Sequence, residues 1–174
     1  MVTALKLVVA VVAGLLVMLL VAGQLGLLKG RPPTDLGVRN GRLKAPSKTP
    51  NSVSSQAGLY PDNPQRAYAD IAPLNLLGSD PNNSMRRLAA VLQATPGCVL
   101  VTHEPGYLYA QCTTRWLKFT DDVEFYLDET AGVIQVRSAS RLGSKDFGVN
   151  RARVEALRAR FAQAASTPMA LPDR

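Results

Sequence analysis

A chain of 174 residues and 18.7 kDa has room for one domain of ordinary size. Its 47% apolar content sits beside a mean hydropathy of only +0.02, so the apolar residues are gathered in one place and a polytopic membrane protein is excluded. The formal charge is +7, with much of the excess in Lys29, Arg31, Arg39, Arg42, Lys44 and Lys48 against Asp35; this suits anionic lipid headgroups, and with aromatics at 6% and no interleaved basic–aromatic motif it argues against nucleic acid.

After a short tail, 1–6, the run from Leu7 to Leu28 carries no charge and one amide. Its roughly 22 residues suffice to cross a hydrocarbon core of about 30 Å as a helix. The competing reading is a signal peptide cut after Val21-Ala22-Gly23, and the length of the apolar run favours a retained anchor. Lys6 against Lys29, Arg31, Arg39 and Arg42 favours a cytoplasmic domain by the positive-inside count, whereas signal-anchors with short tails commonly place the domain outside. The reading adopted is a single-pass membrane protein with its domain extracytoplasmic, periplasmic in a Gram-negative cell.

Residues 29–68 are rich in Pro, Gly, Asn and Ser and sustain neither helical nor strand periodicity, so they read as a basic spacer. Within it Asn51 to Gln56 is dense in side-chain donors and acceptors, suited either to solvated loop or to a segment pinned on the domain by hydrogen bonds.

The domain is expected over 69–164. A helix capped by Ser84 after Pro81 sets Met85, Leu88, Ala89 and Leu92 on one face and stops at Pro96-Gly97. Strands follow at about Cys98–His103, Tyr107–Thr113, Asp122–Asp128 and Val133–Ser140, with short connections that imply an antiparallel meander. Val123, Phe125 and Leu127 alternate with polar neighbours, which buries one face of the sheet and leaves the other mostly polar. A last helix from Arg151 to about Ala164, behind an Asn150 cap, carries Val154, Leu157 and Phe161 as a stripe that can cover the sheet. The expected fold is α+β, a two-layer domain of order α-β-β-β-β-α, and 165–174 reads as a disordered tail.

If Glu104-Pro105-Gly106 is a three-residue hairpin loop, His103 opposes Tyr107 and Cys98 falls opposite Cys112 at a non-hydrogen-bonded position. Their spacing there is compatible with a disulfide in an oxidising compartment. His103 would lie on the other face of that strand, and neither a metal site nor a cofactor is expected, since no metal-ligand cluster, phosphate loop or dinucleotide turn is present.

The densest stretch is charged. Arg151 and Arg153 occupy the first turn of the last helix, where the dipole disfavours cations, so anions should lie nearby. Asp121, Asp122 and Glu124 are the internal candidates, with Arg137 and Arg141 leaving the next strand toward the same region and Gly143 and Gly148 turning the connection. These residues form either a structural ion-pair network or an Arg-lined anion pocket completed by the amides at the helix start.

The segments Thr49–Gln56 (TPNSVSSQ), Asp121–Phe125 (DDVEF), Arg137–Arg141 (RSASR) and Gly148–Arg158 (GVNRARVEALR) together resemble the domain-of-unknown-function family 1499, bacterial and plastid proteins with no established activity. The resemblance covers nearly everything after the anchor. By ungapped counting the family's two motif cysteines would fall at Pro46 and Ser52, so any bridge or metal site they make elsewhere is absent here, and Val21-Ala22-Gly23-Gln24 looks like a lipobox without its cysteine.

The function read from these features is a membrane-anchored, non-enzymatic binding or interaction module of the cell envelope, partnered by the bilayer and by an anionic lipid or an envelope protein. The first alternative is an enzyme on an anionic substrate with Asp122 and Glu124 as acid and base, against which stand the arginines that would keep both carboxylates ionised. A purely structural scaffold is the second.

Overall fold

The apolar N-terminal run forms helix α1, Val2–Gln24. It begins before Lys6 and stops short of Leu28, because the chain turns out through a left-handed Gly26 (φ 78°). Leu27 N–H then bonds Ala22 O at 3.0 Å and Gly26 N–H bonds Gly23 O at 2.9 Å, the paired closure of a glycine-terminated helix. At 23 residues α1 is long and apolar enough to cross a membrane, a test that a signal sequence near an N-terminus also passes.

A computed structural model describes residues 2–164; the tail read at 165–174 lies outside the described residues. After α1 come strand β1 (Ser52–Ser54), a short helix α2 (Arg66–Ala69), β2 (Leu74–Asn75), α3 (Pro81–Gln93), β3 (Cys98–Glu104), β4 (Tyr107–Thr113), β5 (Thr120–Asp128), β6 (Val133–Ser140) and α4 (Val149–Ala164). The class is α+β. The sheet is antiparallel and has six strands, ordered β1-β6-β5-β4-β3 with β2 also on β6.

Of the two extra strands, β1 comes from the segment that composition presents as a spacer, and β2 lies between that segment and α3. Val53 pairs with Ser138 and Leu74 with Ile134, so β6 is covered along its outer edge by chain from far upstream. Leu43, Val53, Ala57 and Leu74 are buried, and Asn51, Ser52, Ser54 and Gln56 are buried with them. Polar side chains can be interior here because they are bonded: Gln56 accepts from Leu43 N–H at 2.8 Å and donates to Gly41 O at 2.9 Å, and Ser52 Oγ accepts from Ser47 N–H at 2.8 Å. The NSVSSQ segment is therefore pinned, not solvated.

Strand alternation divides the sheet into two unlike faces. Leu108, Ala110, Val123, Phe125, Leu127, Ile134 and Val136 join Met85, Leu88 and Leu92 of α3 and Val154, Leu157 and Phe161 of α4 in one apolar core. The opposite face carries Asp122, Glu124 and Arg137, all buried. That face is polar but not open to water, because residues 36–47 fold back over it.

Three local expectations are corrected. The β3–β4 hairpin closes at Glu104/Tyr107, giving a two-residue Pro105-Gly106 loop, and a bulge between Leu100 and Thr102 then brings Cys98 opposite Cys112. The loop is one residue shorter than expected, and the bulge restores the register before the cysteines. The same bulge puts His103, paired with Leu108, on the face that holds Cys98 and not on the other. Helix α3 starts at Pro81 with Asp80 ahead of it, while Ser84 lies one turn inside, its buried hydroxyl accepting from Leu77 N–H at 2.9 Å.

Cys98 and Cys112 are joined in a disulfide, with Cα atoms 4.0 Å apart. The bridge spans 14 residues, and loop-closure entropy assigns such a span about 3 kcal/mol. Replacing both cysteines by Ala should lower the unfolding free energy by about that amount in urea titrations, with no loss of the folded baseline.

Candidate functional site

The residues from Asp121 to Arg153 that look like one charged cluster in sequence are split by the sheet. Adjacent positions on a strand point to opposite faces, so Asp122, Glu124 and Arg137 lie on the strap-covered face and Asp121 lies on the helix face.

On the covered face Glu124 is the best-connected acceptor. Its Oε1 accepts from the Tyr107 hydroxyl and from Gly37 N–H, each at 2.9 Å, and its Oε2 accepts from Arg137 Nη1 at 3.2 Å. One residue pair along, Arg141 Nη2 and Nε reach Asp122 at 2.7 and 3.0 Å, and the Tyr109 hydroxyl donates to Asp122 at 2.6 Å. Burial, followed by the Glu124 charge, holds the Tyr107 phenol well above its ordinary range. Burial and the bond to Asp122 raise Tyr109 as well. Both phenols are donors throughout the physiological range.

On the helix face the partners converge at the start of α4. Asn150, fully buried, accepts from Ser138 Oγ at 2.6 Å and Arg153 Nη1 at 2.7 Å, and donates to Asn51 O at 3.1 Å and Ser140 Oγ at 2.9 Å. Arg153 also pairs with Asp121. Capping falls to Asp146, whose carboxylate accepts from Gly148 N–H at 3.0 Å and Asn150 N–H at 3.1 Å, and not to Asn150, which sits within the helix. Gly148 (φ 82°) lets the loop enter the helix. Arg151 points away from all the carboxylates and donates to the carbonyls of Tyr68 and Asp70 at 2.6 and 2.7 Å. The cations in the first turn of α4 are thus answered separately, one by a carboxylate and one by main-chain oxygens.

Sequence reasoning missed Asp146 and Tyr68, which bonds it. An Asp two residues ahead of Gly148 at a helix start is a capping signal that could have found the first; nothing local marks the second.

A cavity of about 540 Å³ opens between the strap and the covered face. Five cations line it, Arg31, Lys44, Lys48, Arg137 and Arg141, against the carboxylates of Asp35 and Asp122. Lys44 is spent on Asp35 at 2.6 Å and Arg141 on Asp122. Arg31 and Lys48 are exposed and make no ion pair among the described residues. Arg137 is 4% exposed, and its Nε–H has no hydrogen-bond partner among the described residues. A larger cavity of about 820 Å³, around Tyr107, Tyr126 and the Pro105-Gly106 turn, is lined by Glu104 and Glu129 and by no cation. Among the described residues no group of three or more His, Cys, Asp or Glu is placed to hold a metal ion.

A family model described as Protein of unknown function (DUF1499) matches residues 42–161, and the chain belongs to that family. The match begins at the strap and ends inside α4, so β1 and β2 are part of the family's domain and not a linker to it. No curated protein and no solved structure matches the chain.

Asp146 is the group whose titration should be felt in stability. Burial alone would raise it, but bonds from Tyr68 and from the Gly148 and Asn150 amides outweigh burial and hold it below the 3.8 of a free Asp. A carboxyl lowered in the folded state stabilises above its unfolded value and loses that contribution as pH falls through the folded one. Asp146→Asn should cost about 2 kcal/mol at pH 7. In denaturant titrations at successive pH values, the gap from the parent should close below about pH 4.

Proposed function

We propose that this member of the family is a membrane-anchored binding module of the cell envelope, whose pocket between strap and sheet takes a small anionic group, a phosphate or a carboxylate. The observation that carries the reading is the unpartnered Arg137 Nε–H at a basic cavity. A buried donor left without an acceptor costs about 1–3 kcal/mol, more when it is charged. An anion that reaches this Nε–H from the cavity would remove that cost, with Arg31 and Lys48 lining the same cavity.

Retention of α1 is supported by how its last turn meets the domain. Gly23 is buried against the Leu117 backbone, where an added Cβ would stand 2.6 Å from Leu117 O, and Gln24 Nε2 donates to Trp116 O at 2.9 Å. A cut after Gly23 would discard one half of that contact. An extracytoplasmic domain is supported by the Cys98–Cys112 bridge, since such bonds persist in oxidising compartments. The acid–base alternative gains nothing from the geometry: Asp122 and Glu124 are already engaged by arginine and tyrosine donors.

The anion has two sources, a lipid headgroup beside the anchor or a soluble phosphate or carboxylate. The melting temperature of the full chain in detergent micelles should rise with inorganic phosphate, acetate or short-chain phosphatidylglycerol beyond the effect of chloride at equal ionic strength, reflecting about 2.7 kcal/mol of added stability at a hundredfold excess over Kd. The Arg31→Gln/Lys48→Gln double variant changes only exposed side chains and should keep the parent melting temperature while losing most of the shift. A shift with the lipid alone identifies a headgroup site. No shift with any of the three leaves a structural scaffold and overturns the reading.

A further inference from the structure

We infer that the β4–β5 loop, residues 114–119, is a foot that seats the domain on the bilayer surface, with the Trp116 indole among the headgroups. The inference rests on the anchored reading of α1 and adds to it a fixed posture for the domain.

The starting point is where the loop lies. The end of a membrane-spanning helix is at the interface by construction: α1 has 23 residues, about 35 Å of helix against a hydrocarbon core of about 30 Å. Gln24, its last residue, bonds the main chain of Trp116, and Gly23 lies against Leu117. The loop is thus brought to headgroup depth by contacts to the helix itself. Only a glycine permits the approach at position 23, since any Cβ there would collide with backbone.

Its chemistry fits that depth. Trp116 is 64% exposed, an unusual state for a tryptophan, whose side chain is highly buried on average. The Arg115 guanidinium stands over the indole, 5.0 Å from the ring centre. Leu25 and Leu27, just past the helix end, are 72% and 70% exposed. An indole beside a cation and exposed leucines is the composition of a bilayer interface, where the ring is half in hydrocarbon and the cation meets anionic phosphates.

The foot is also stiff. Thr114 N–H bonds Phe119 O at 2.9 Å and Phe119 N–H bonds Thr114 Oγ1 at 3.0 Å, closing the loop at its base. The bond from Gln24 to the Trp116 carbonyl fixes the main chain that carries the indole against the end of α1. Gly30 then passes against Arg141 and Leu142, so the chain leaving the foot is held to the domain before it reaches Arg31. The posture therefore presents the rim of the basic cavity to the membrane side.

Trp116 is the only tryptophan in the sequence, so its fluorescence reports the foot alone. The full chain, reconstituted in vesicles of phosphatidylcholine and phosphatidylglycerol, should show a blue-shifted indole, quenched by lipids brominated near the headgroup more than by lipids brominated at the chain end. Aqueous acrylamide should quench it severalfold less than in the urea-unfolded protein. Gly23→Leu, which keeps α1 apolar but breaks its approach to Leu117, should still float with the vesicles while its indole becomes accessible to acrylamide. Flotation separates the two claims. Protein that floats with an indole open to acrylamide and silent to brominated lipid overturns the foot and leaves the anchor standing; protein that does not float overturns both.

Discussion

Glu124 sits fully buried at the middle of β5, and a carboxylate in that position needs donors from several directions to be tolerated. Arg137 supplies one from the neighbouring strand, Tyr107 one from the strand on the other side, and Gly37 one from the strap. The last is the consequential one. An apolar residue at 124 would remove the acceptor that Gly37 N–H uses and leave the strap held only further along, where Leu43 and Ser47 bond Gln56 and Ser52, whereas the carboxylate fixes its start to β5. Once the strap is down, the covered face is desolvated, Leu43 has a place to be buried, and a cavity forms between cations contributed by the strap and cations contributed by the sheet.

The pairing at that point is incomplete. Arg137 gives Glu124 one bond from Nη1 and keeps Nε–H unpaired, although a fork-to-fork arrangement would have used two parallel donors. Asp122 and Arg141 on the same face do achieve the fork. The contrast between two neighbouring pairs of the same chemistry is what separates a finished structural pair from a guanidinium with capacity to spare. It is also the ground on which an anion is proposed as the ligand: the unspent donor is charged and buried, and the carboxylates at the cavity are already committed.

Much of the fold is readable from periodicity alone. Val123, Phe125 and Leu127 alternate, as do Ile134 and Val136, and the stripes of α3 and α4 recur at helical spacing, so the meander and the helices that cover it follow from where apolar residues recur. β1 and β2 escape that logic. Ser52-Val53-Ser54 has a single apolar residue, and it is a strand only because β6, far along the chain, pairs with its backbone, a property no local window contains, even though the serine hydroxyls accept from the nearby Ser47 and Gln56 amides. The hairpin register survived a misplaced turn because a bulge added back one residue before the cysteines. The site was legible in its residues and not in its grouping. Asp121, Asp122 and Glu124 were all implicated, yet strand parity alone separates the first from the other two, and it was the parity that decided which arginine each one meets. Arg31 and Lys48 read in sequence as headgroup charges on a spacer, because nothing in their neighbourhood says that the chain folds back.

The central claim is that the segment after the anchor is folded structure held on the sheet by Glu124. Hydrogen–deuterium exchange on the full chain reads it at the amides themselves. The Gly37 and Leu43 N–H groups, bonded to Glu124 and Gln56, should exchange with protection comparable to β5 and β6, and Glu124→Gln should release Gly37 before the sheet. Exchange of residues 36–56 at the rate of unstructured chain, with the sheet still protected, would mean that the segment is a solvated spacer and that the cavity it roofs does not exist.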